Sequence, residues 1–347
     1  MNDQLIAAGN ESRALQGALR QYRQPSVGRG LGQLATSVVP YVAGILAMGA
    51  IAQLSYPFSL LLALPTAGFL IRIFIIFHDA GHGSFLPVSR WNRAVGYFAG
   101  ILAFTPYRYW THMHAMHHAN AGDLDRRGLG DVWTMTVQEF ADAPRILRLA
   151  YRVFRNPLVL FVLIAPLSFL LNHRFPRKHA GSRANRAIMW TNLGVALFVA
   201  AMSLPFGFVD FVLVFTPVFV AASMVGTWLF YVQHQFEDVY WSRREGWEFA
   251  DAALRGSSYL KLPRVLQWFT GNIGFHHVHH LNPGIPNYHL ARAHREQPMF
   301  RQVPVLRLRD TARCMSVRLY DETTRQMVGF REGLRRADLA RTEAAPA

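Results

Sequence analysis

Eleven of the 15 histidines stand in four short runs. They are His78-Asp79-Ala80-Gly81-His82, then His112-Met113-His114-Ala115-Met116-His117-His118, then His234 alone, and last His276-His277-Val278-His279-His280. A helix turns by about 100° per residue, so His78 and His82 fall about 40° apart on one face. His114, His117 and His118 fall at about 0°, −60° and +40° on such a wheel, and His276, His279 and His280 repeat those angles. Eight imidazoles can therefore converge, and His234 makes a ninth. A metal ion takes about four to six ligands, so this set suits two metals. Imidazole suits iron, zinc, copper and nickel. Two irons that activate oxygen account for both the number of histidines and the membrane setting described below. His112, at about 160° on its wheel, and His277, at about 100°, are candidates for orienting or structural roles. Asp79 and Asp238 are candidates to orient ligand rings, with helix caps or surface charges as the alternative. Asn272, four residues before His276, is a candidate ligand or ring-orienting neighbour. His173, His179, His289 and His294 read as hydrogen-bonded structural residues.

The elements that must position these groups are apolar. Of 347 residues, 51% are hydrophobic and 16% charged, against roughly 25% charged in soluble domains. No charged side chain occurs between Ile51 and Ile71. Stretches of about 20 apolar residues cross a bilayer, and four are expected, near 36–54, 57–77, 187–204 and 208–232. The predicted fold is all-α and integral to the membrane: four transmembrane helices in two hairpins, with a cytosolic helical cap holding the histidine-rich site. Residues 1–33 read as a cytosolic N-terminal segment without a signal-peptide pattern, and 34–300 as the membrane domain. Residues 301–347 read as an Arg-rich cytosolic tail, either a helix on the membrane surface or a flexible end. Arg72 is placed to snorkel to the interface. The apolar patch Ala94–Phe104 is too short to span. The stretch 157–171 is read as re-entrant or peripheral. If it crossed, the basic loop with Arg174, Arg177, Lys178, Arg183 and Arg186 would face outward, against the positive-inside rule, and His234 would be parted from His78. The net charge of +15 marks a cytosolic face and a docking surface, and the apolar spans exclude nucleic acid as the partner. Cys314 is the only cysteine, which excludes an internal disulfide and thiolate-bound clusters.

The three runs His78–His82, His114–His118 and His276–His280, with Gly271 to Pro283 around the last, resemble the membrane-bound fatty acid desaturases, in particular the bacterial acyl-lipid branch. The resemblance covers most of residues 35–295. It implies a diiron site on a cytosolic cap, with His78, His82, His114, His117, His118, His234, His276, His279 and His280 as ligands. Relatives often carry an asparagine four residues before the histidine that corresponds to His234; Phe230 stands there, so that coordination is not carried over. The resemblance also implies the reaction. O2 and two electrons remove hydrogen from neighbouring methylenes of an acyl lipid or acyl thioester lying in an apolar tunnel, with Tyr107, Trp110 and Tyr231 as suspected lining.

A hydroxylase or ketolase on the same scaffold is the nearest rival, and a membrane metal transporter a distant one. A transporter needs polar ligands at mid-membrane, whereas these histidines sit outside nearly uncharged spans. No haem-binding His-Pro-Gly-Gly motif, cysteine cluster or dinucleotide fingerprint is present. Electrons are therefore expected from a separate donor, such as an acidic ferredoxin-like carrier attracted by the basic face, with a lipid-facing role for the same charges as the equal alternative.

Overall fold

The computed structural model describes residues 14–128, 130–176 and 181–344. Arg177, Lys178 and His179 lie outside the described residues, as does the beginning of the N-terminal segment. The architecture is mostly helical. Helix α1, Val27–Ala52, turns through Tyr56–Ser59 into α2, Ala63–His82. Two shorter helices follow, α3, Ser89–Leu102, and α4, Tyr107–Asn120, and then α5, Val137–Asp142, and α6, Arg145–Phe154. A largely π-helical segment, Leu158–Asn172, leads to α7, Gly181–Ser203, and α8, Phe208–His234. Four helices are long and apolar enough to cross a membrane: Val27–Ala52, Tyr56–His82, Gly181–Ser203 and Phe208–His234. The chain is an integral membrane protein.

The helices outrun the apolar stretches that predict them, and the overrun carries the chemistry. The second apolar stretch ends at Phe77, but α2 continues through His82, so the first histidine pair forms its last turn. The stop is Gly83, at φ +71, whose N–H bonds Ala80 O at 3.1 Å while Ser84 N–H reaches Asp79 O at 3.0 Å. Glycine tolerates that left-handed turn, which satisfies carbonyls at the helix end. Asn92 knits the following turn, accepting from Leu86 N–H at 2.8 Å and donating to the Gly83 and Leu86 carbonyls. In the same way α8 runs past its apolar stretch to end at His234. Arg72 does not snorkel. It is buried, its guanidinium bonds the Trp268 carbonyl and lies 3.9 Å over the Trp268 ring, under α9, Arg264–Phe269. A buried cation finds there both an acceptor and a ring face.

Two helices complete the site's frame, α10, His276–Leu281, and α11, Asn287–Glu296. The segment α6 plus Leu158–Asn172 is bent by 68° at a short break. A bend of that kind belongs to a broken span or to a re-entrant segment.

Residues after 301 are not a separate appendage. Strand Val305–Arg307 pairs in parallel with Tyr259–Lys261. Strand Leu319–Asp321 pairs in parallel with Met135–Thr136 and antiparallel with Gln326–Val328. A last helix, α12, Phe330–Ala344, packs on α5. These strands are two or three residues long, too short for periodicity to reveal. Arg155 fastens this layer to the membrane helices. It is 1% exposed, and donates to Trp133 O at 3.0 Å, to Tyr231 Oη and Gln235 Oε1 at 2.9 Å, and to Val317 O at 3.3 Å. Loop, α8 and C-terminal layer thus share one guanidinium. Replacing it by methionine strands buried acceptors, so Arg155→Met is expected to cost on the order of 3 kcal/mol. The apparent Tm in detergent checks this: a clear fall is expected for Arg155→Met and none for Arg331→Met on the exposed surface.

Candidate metal centre

The ends of α2 and α8 meet α4 and α10 at one level, and their imidazoles sort into two groups. His78, His82, His114, His118 and His279 form one, and His117, His234, His276 and His280 the other. Within each group the ring nitrogens lie within 4.8 Å of one another. Each five-residue histidine run is shared out by helical geometry. On α4 the pair four residues apart, His114 and His118, joins the first group, and His117 the second. On α10 the pair His276 and His280 joins the second group, and His279 the first.

The rings are aimed by their outer nitrogens. His78 Nδ1 bonds Asp79 Oδ1 at 3.0 Å, His117 Nδ1 bonds Asp131 Oδ1 at 2.5 Å, and His234 Nδ1 bonds Gly256 O at 3.0 Å. Carboxylate and carbonyl oxygens only accept, so each Nδ1 carries the proton and each Nε2 a bare lone pair. Yet His117 Nε2 lies 3.3 Å from His234 Nε2, and His234 Nε2 lies 2.9 Å from His276 Nε2. In the first group His118 Nε2 lies 3.0 Å from His279 Nε2 and 3.1 Å from His114 Nε2. His78 Nε2 and His82 Nε2 are buried without any hydrogen-bond partner. For His117 and His234, whose Nδ1 protons are both engaged, the facing Nε2 lone pairs repel unless a cation lies between them. Separations near 3 Å suit neighbouring donors on a metal with nitrogen bonds of ~2.1 Å. The donor set therefore fits metal, and nitrogen-only ligation suits a transition metal over calcium or magnesium.

Burial, and then the nearness of other imidazoles, holds His114, His118, His276, His279 and His280 well below the usual imidazole range. They stay neutral, as a ligand must.

The other sequence candidates separate clearly. Asp79 lies inside the site's frame: its second oxygen accepts from Asn287 N at 2.6 Å and Asn287 Nδ2 at 2.8 Å. Asn287 in turn takes a 3.0 Å bond from Gln33 on α1. Asp238 does not orient a ring. It is exposed and accepts from Gln326 at 2.9 Å, drawn outward by the C-terminal strand. His112 is exposed and turned off the cluster face, as its position on the wheel requires. Asn272, at φ 58, donates to Asn287 O at 3.2 Å and touches no ring nitrogen of either group through a hydrogen bond. His277 is fully buried but outside both groups; its Nε2 faces His294 Nδ1 at 3.0 Å, in a shell with Tyr259 and Phe300. His289 binds Tyr22 O through Nδ1.

Asp131 is the residue that sequence reasoning missed. It lies 14 positions after His117, in a loop without periodicity, and no motif flags it. The preceding Gly130, at φ +81, brings the loop so close that a Cβ there would meet His117 Cβ and Met113 O at 3.1 Å. Phe230 packs its ring 5.0 Å from that of His117 and 5.2 Å from that of His234, giving the second group an apolar wall at that position.

Beside the imidazoles opens an apolar cavity of about 590 Å³. His78, His114 and His276 line its metal-facing end, Trp110 and Phe230 its side, and Phe219 lies further down α8. Of the suspected lining aromatics, only Trp110 takes part. Tyr107 turns away to donate to Ala80 O at 2.7 Å, and Tyr231 is held by Arg155.

Membrane helices, two buried polyhistidine groups and an apolar cavity reaching them define a membrane metalloenzyme acting on an apolar chain. The fatty acid desaturase family model matches residues 54–308. A fatty acid desaturase of Bacillus subtilis is 42% identical over 95% of this chain and 94% of its own length. An sn-1 oleoyl-lipid 12-desaturase of Synechocystis is 29% identical over 64% of this chain and 63% of its own. An sn-1 acyl-lipid omega-3 desaturase (ferredoxin) of Synechocystis is 27% identical over 78% and 75%. The chain belongs to the fatty acid desaturase family, O2-dependent oxidoreductases of the membrane.

Two outcomes follow from the geometry. Asp131→Asn leaves His117 without its carboxylate, and metal affinity is expected to fall ~10- to 100-fold; Asp238→Asn leaves it unchanged, as metal analysis after chelator challenge will show. The buried imidazoles resist protonation that the unfolded chain accepts. Stability of the metal-free protein should therefore fall as pH drops below about 6.5, with no such loss above it. Thermal unfolding at about pH 7.5 and pH 5.5 measures this.

Proposed function

We propose that the two groups hold one iron ion each, and that the enzyme introduces a C=C bond into the acyl chain of a membrane lipid. The observation that carries this reading is the shared wall: His78, His114 and His276 belong both to the metal groups and to the apolar cavity. A chain lying there has its methylenes beside the metals and away from water, with ~0.8 kcal/mol gained per buried methylene. In this reading His78, His82, His114, His118 and His279 hold one iron, and His117, His234, His276 and His280 the other. When bound, the irons supply the oxidising power that O2 and two electrons generate. The protein's residues hold and aim: Asp79, Asp131 and Gly256 O keep Nδ1–H outward and Nε2 inward, and the aromatic walls fix the chain and exclude water.

The histidine-bearing face is assigned to the cytosol. His82 and His234 end the second and fourth apolar helices in one cluster, so α7 begins on that same side. The bent segment Leu158–Asn172 then enters and returns on one side, and Arg174, Arg183 and Arg186 fall where positive charge is retained. The bacterial plasma membrane fits this arrangement. Electrons come from a separate carrier; one Synechocystis relative names ferredoxin, and the net charge of +15 suits an acidic partner of that kind.

Purified protein should contain close to two irons per chain, and His117→Ala or His279→Ala should abolish desaturation, whereas His112→Ala retains far more activity than His114→Ala. Fatty acids from an expressing host should show loss of two hydrogens; gain of an oxygen atom instead would assign a hydroxylase. Ser182→Cys with Cys314→Ser should resist a membrane-impermeant thiol reagent on intact cells, and labelling from outside would show that Leu158–Asn172 crosses.

A further inference from the structure

Between α3, α4 and the first turns of α7 the surface folds into a second cavity, of about 550 Å³. Arg108, Arg183 and Arg186 line it together with Tyr97, Ile101 and Trp190, and no carboxylate does. Arg108 is fixed in place by a 3.0 Å bond from its Nε to Tyr97 Oη. Neither the Arg183 nor the Arg186 side chain makes a hydrogen bond or ion pair among the described residues. Three guanidiniums around one hollow repel each other, and an anion would relieve that repulsion. Guanidinium forks match the oxygen pairs of a phosphate.

The hollow also has a lower, apolar half. Arg186 and Trp190 stand four apart on α7, so they share a face. The indole is 66% exposed where the helix enters its apolar stretch. Aromatic rings with an apolar body and a polar edge settle at the level where head groups meet hydrocarbon. Ile101 lies on the facing wall.

We propose that this cavity binds an anionic membrane phospholipid, its phosphate on Arg108, Arg183 and Arg186 and its chains against Ile101 and Trp190. Basic hollows between membrane helices are suited to such head groups. A free phosphate would use the guanidiniums alone and leave the apolar wall bare, which favours the lipid. The bound lipid joins α7 to α4 one residue before Tyr109, which lines the acyl cavity. The inference is independent of the metals.

The test uses the full-length protein, purified in detergent and stripped of lipid, with phosphatidylglycerol, phosphatidylcholine and inorganic phosphate as probes. Native mass spectrometry gives binding and thermal unfolding gives the shift. Phosphatidylglycerol is expected to bind and raise the apparent Tm more than phosphatidylcholine, and inorganic phosphate not to displace it. Arg183→Gln with Arg186→Gln should weaken phosphatidylglycerol binding by about 30-fold, while Arg331→Gln should leave it unchanged. Trp190→Ala keeps all three guanidiniums and should weaken the lipid too, which decides the matter if the double variant does not fold. Wild-type phosphatidylglycerol affinity in the double variant or in Trp190→Ala overturns the proposal. Full displacement by inorganic phosphate also overturns it, because the site would then take a free anion.

Discussion

Ring nitrogens crowd to about 3 Å of one another in two buried groups, and the rest of the structure follows from holding them there. Nine imidazoles are brought this close only by elements that hold their positions. That rigidity comes from helix ends. His78 and His82 stand on the last turn of one apolar helix and His234 on the last residue of another. The two runs on α4 and α10 each divide their histidines between the groups, which fixes the two helices against each other. Outer partners finish the task. Asp79 is held by both the backbone and side chain of Asn287, itself tied to Gln33 on the first membrane helix. Rotation of His78 would therefore disturb a chain of bonds that reaches α1.

The cap is stiffened from outside by the C-terminal residues. Two short parallel pairings bring residues 305–307 and 319–321 beside strands from the middle of the chain. Arg155 then joins that layer to the end of α8 through Tyr231 and Gln235, on either side of His234. Placing a full charge in a buried position is costly, and here carbonyl, hydroxyl and amide oxygens receive it without a carboxylate. The resulting cross-link joins three segments that lie far apart along the chain.

The same framework makes the site unequal on its two sides. The cavity wall carries apolar groups right up to the imidazoles, with Phe230 against His117 and His234. An acyl chain needs that wall, because any polar group left unpaired along it would cost binding energy. Asp79 and the Gly256 carbonyl hold their rings from outside that cavity, whereas Asp131, bonded to His117, is itself part of the cavity lining.

The sequence by itself determined the membrane helices, the metal-binding chemistry and the convergence of the histidine runs. These are local properties: apolar length sets a span, and spacing along a helix sets which side chains share a face. His112 shows how far that goes, since its angle alone places it outside the cluster. Tertiary structure decided which histidine joins which group, because that depends on how α4 and α10 cross and not on either helix alone. It also decided which acid serves the site. Asp79 and Asp238 each lie close to a histidine in sequence, yet only Asp79 orients a ring, and the loop residue Asp131 does what no periodic signal could reveal. The C-terminal residues, expected as a tail, became part of the cap. Strands of two or three residues gain stability only from partners far away in the chain, and a sequence pattern cannot show a partner that folding alone brings near.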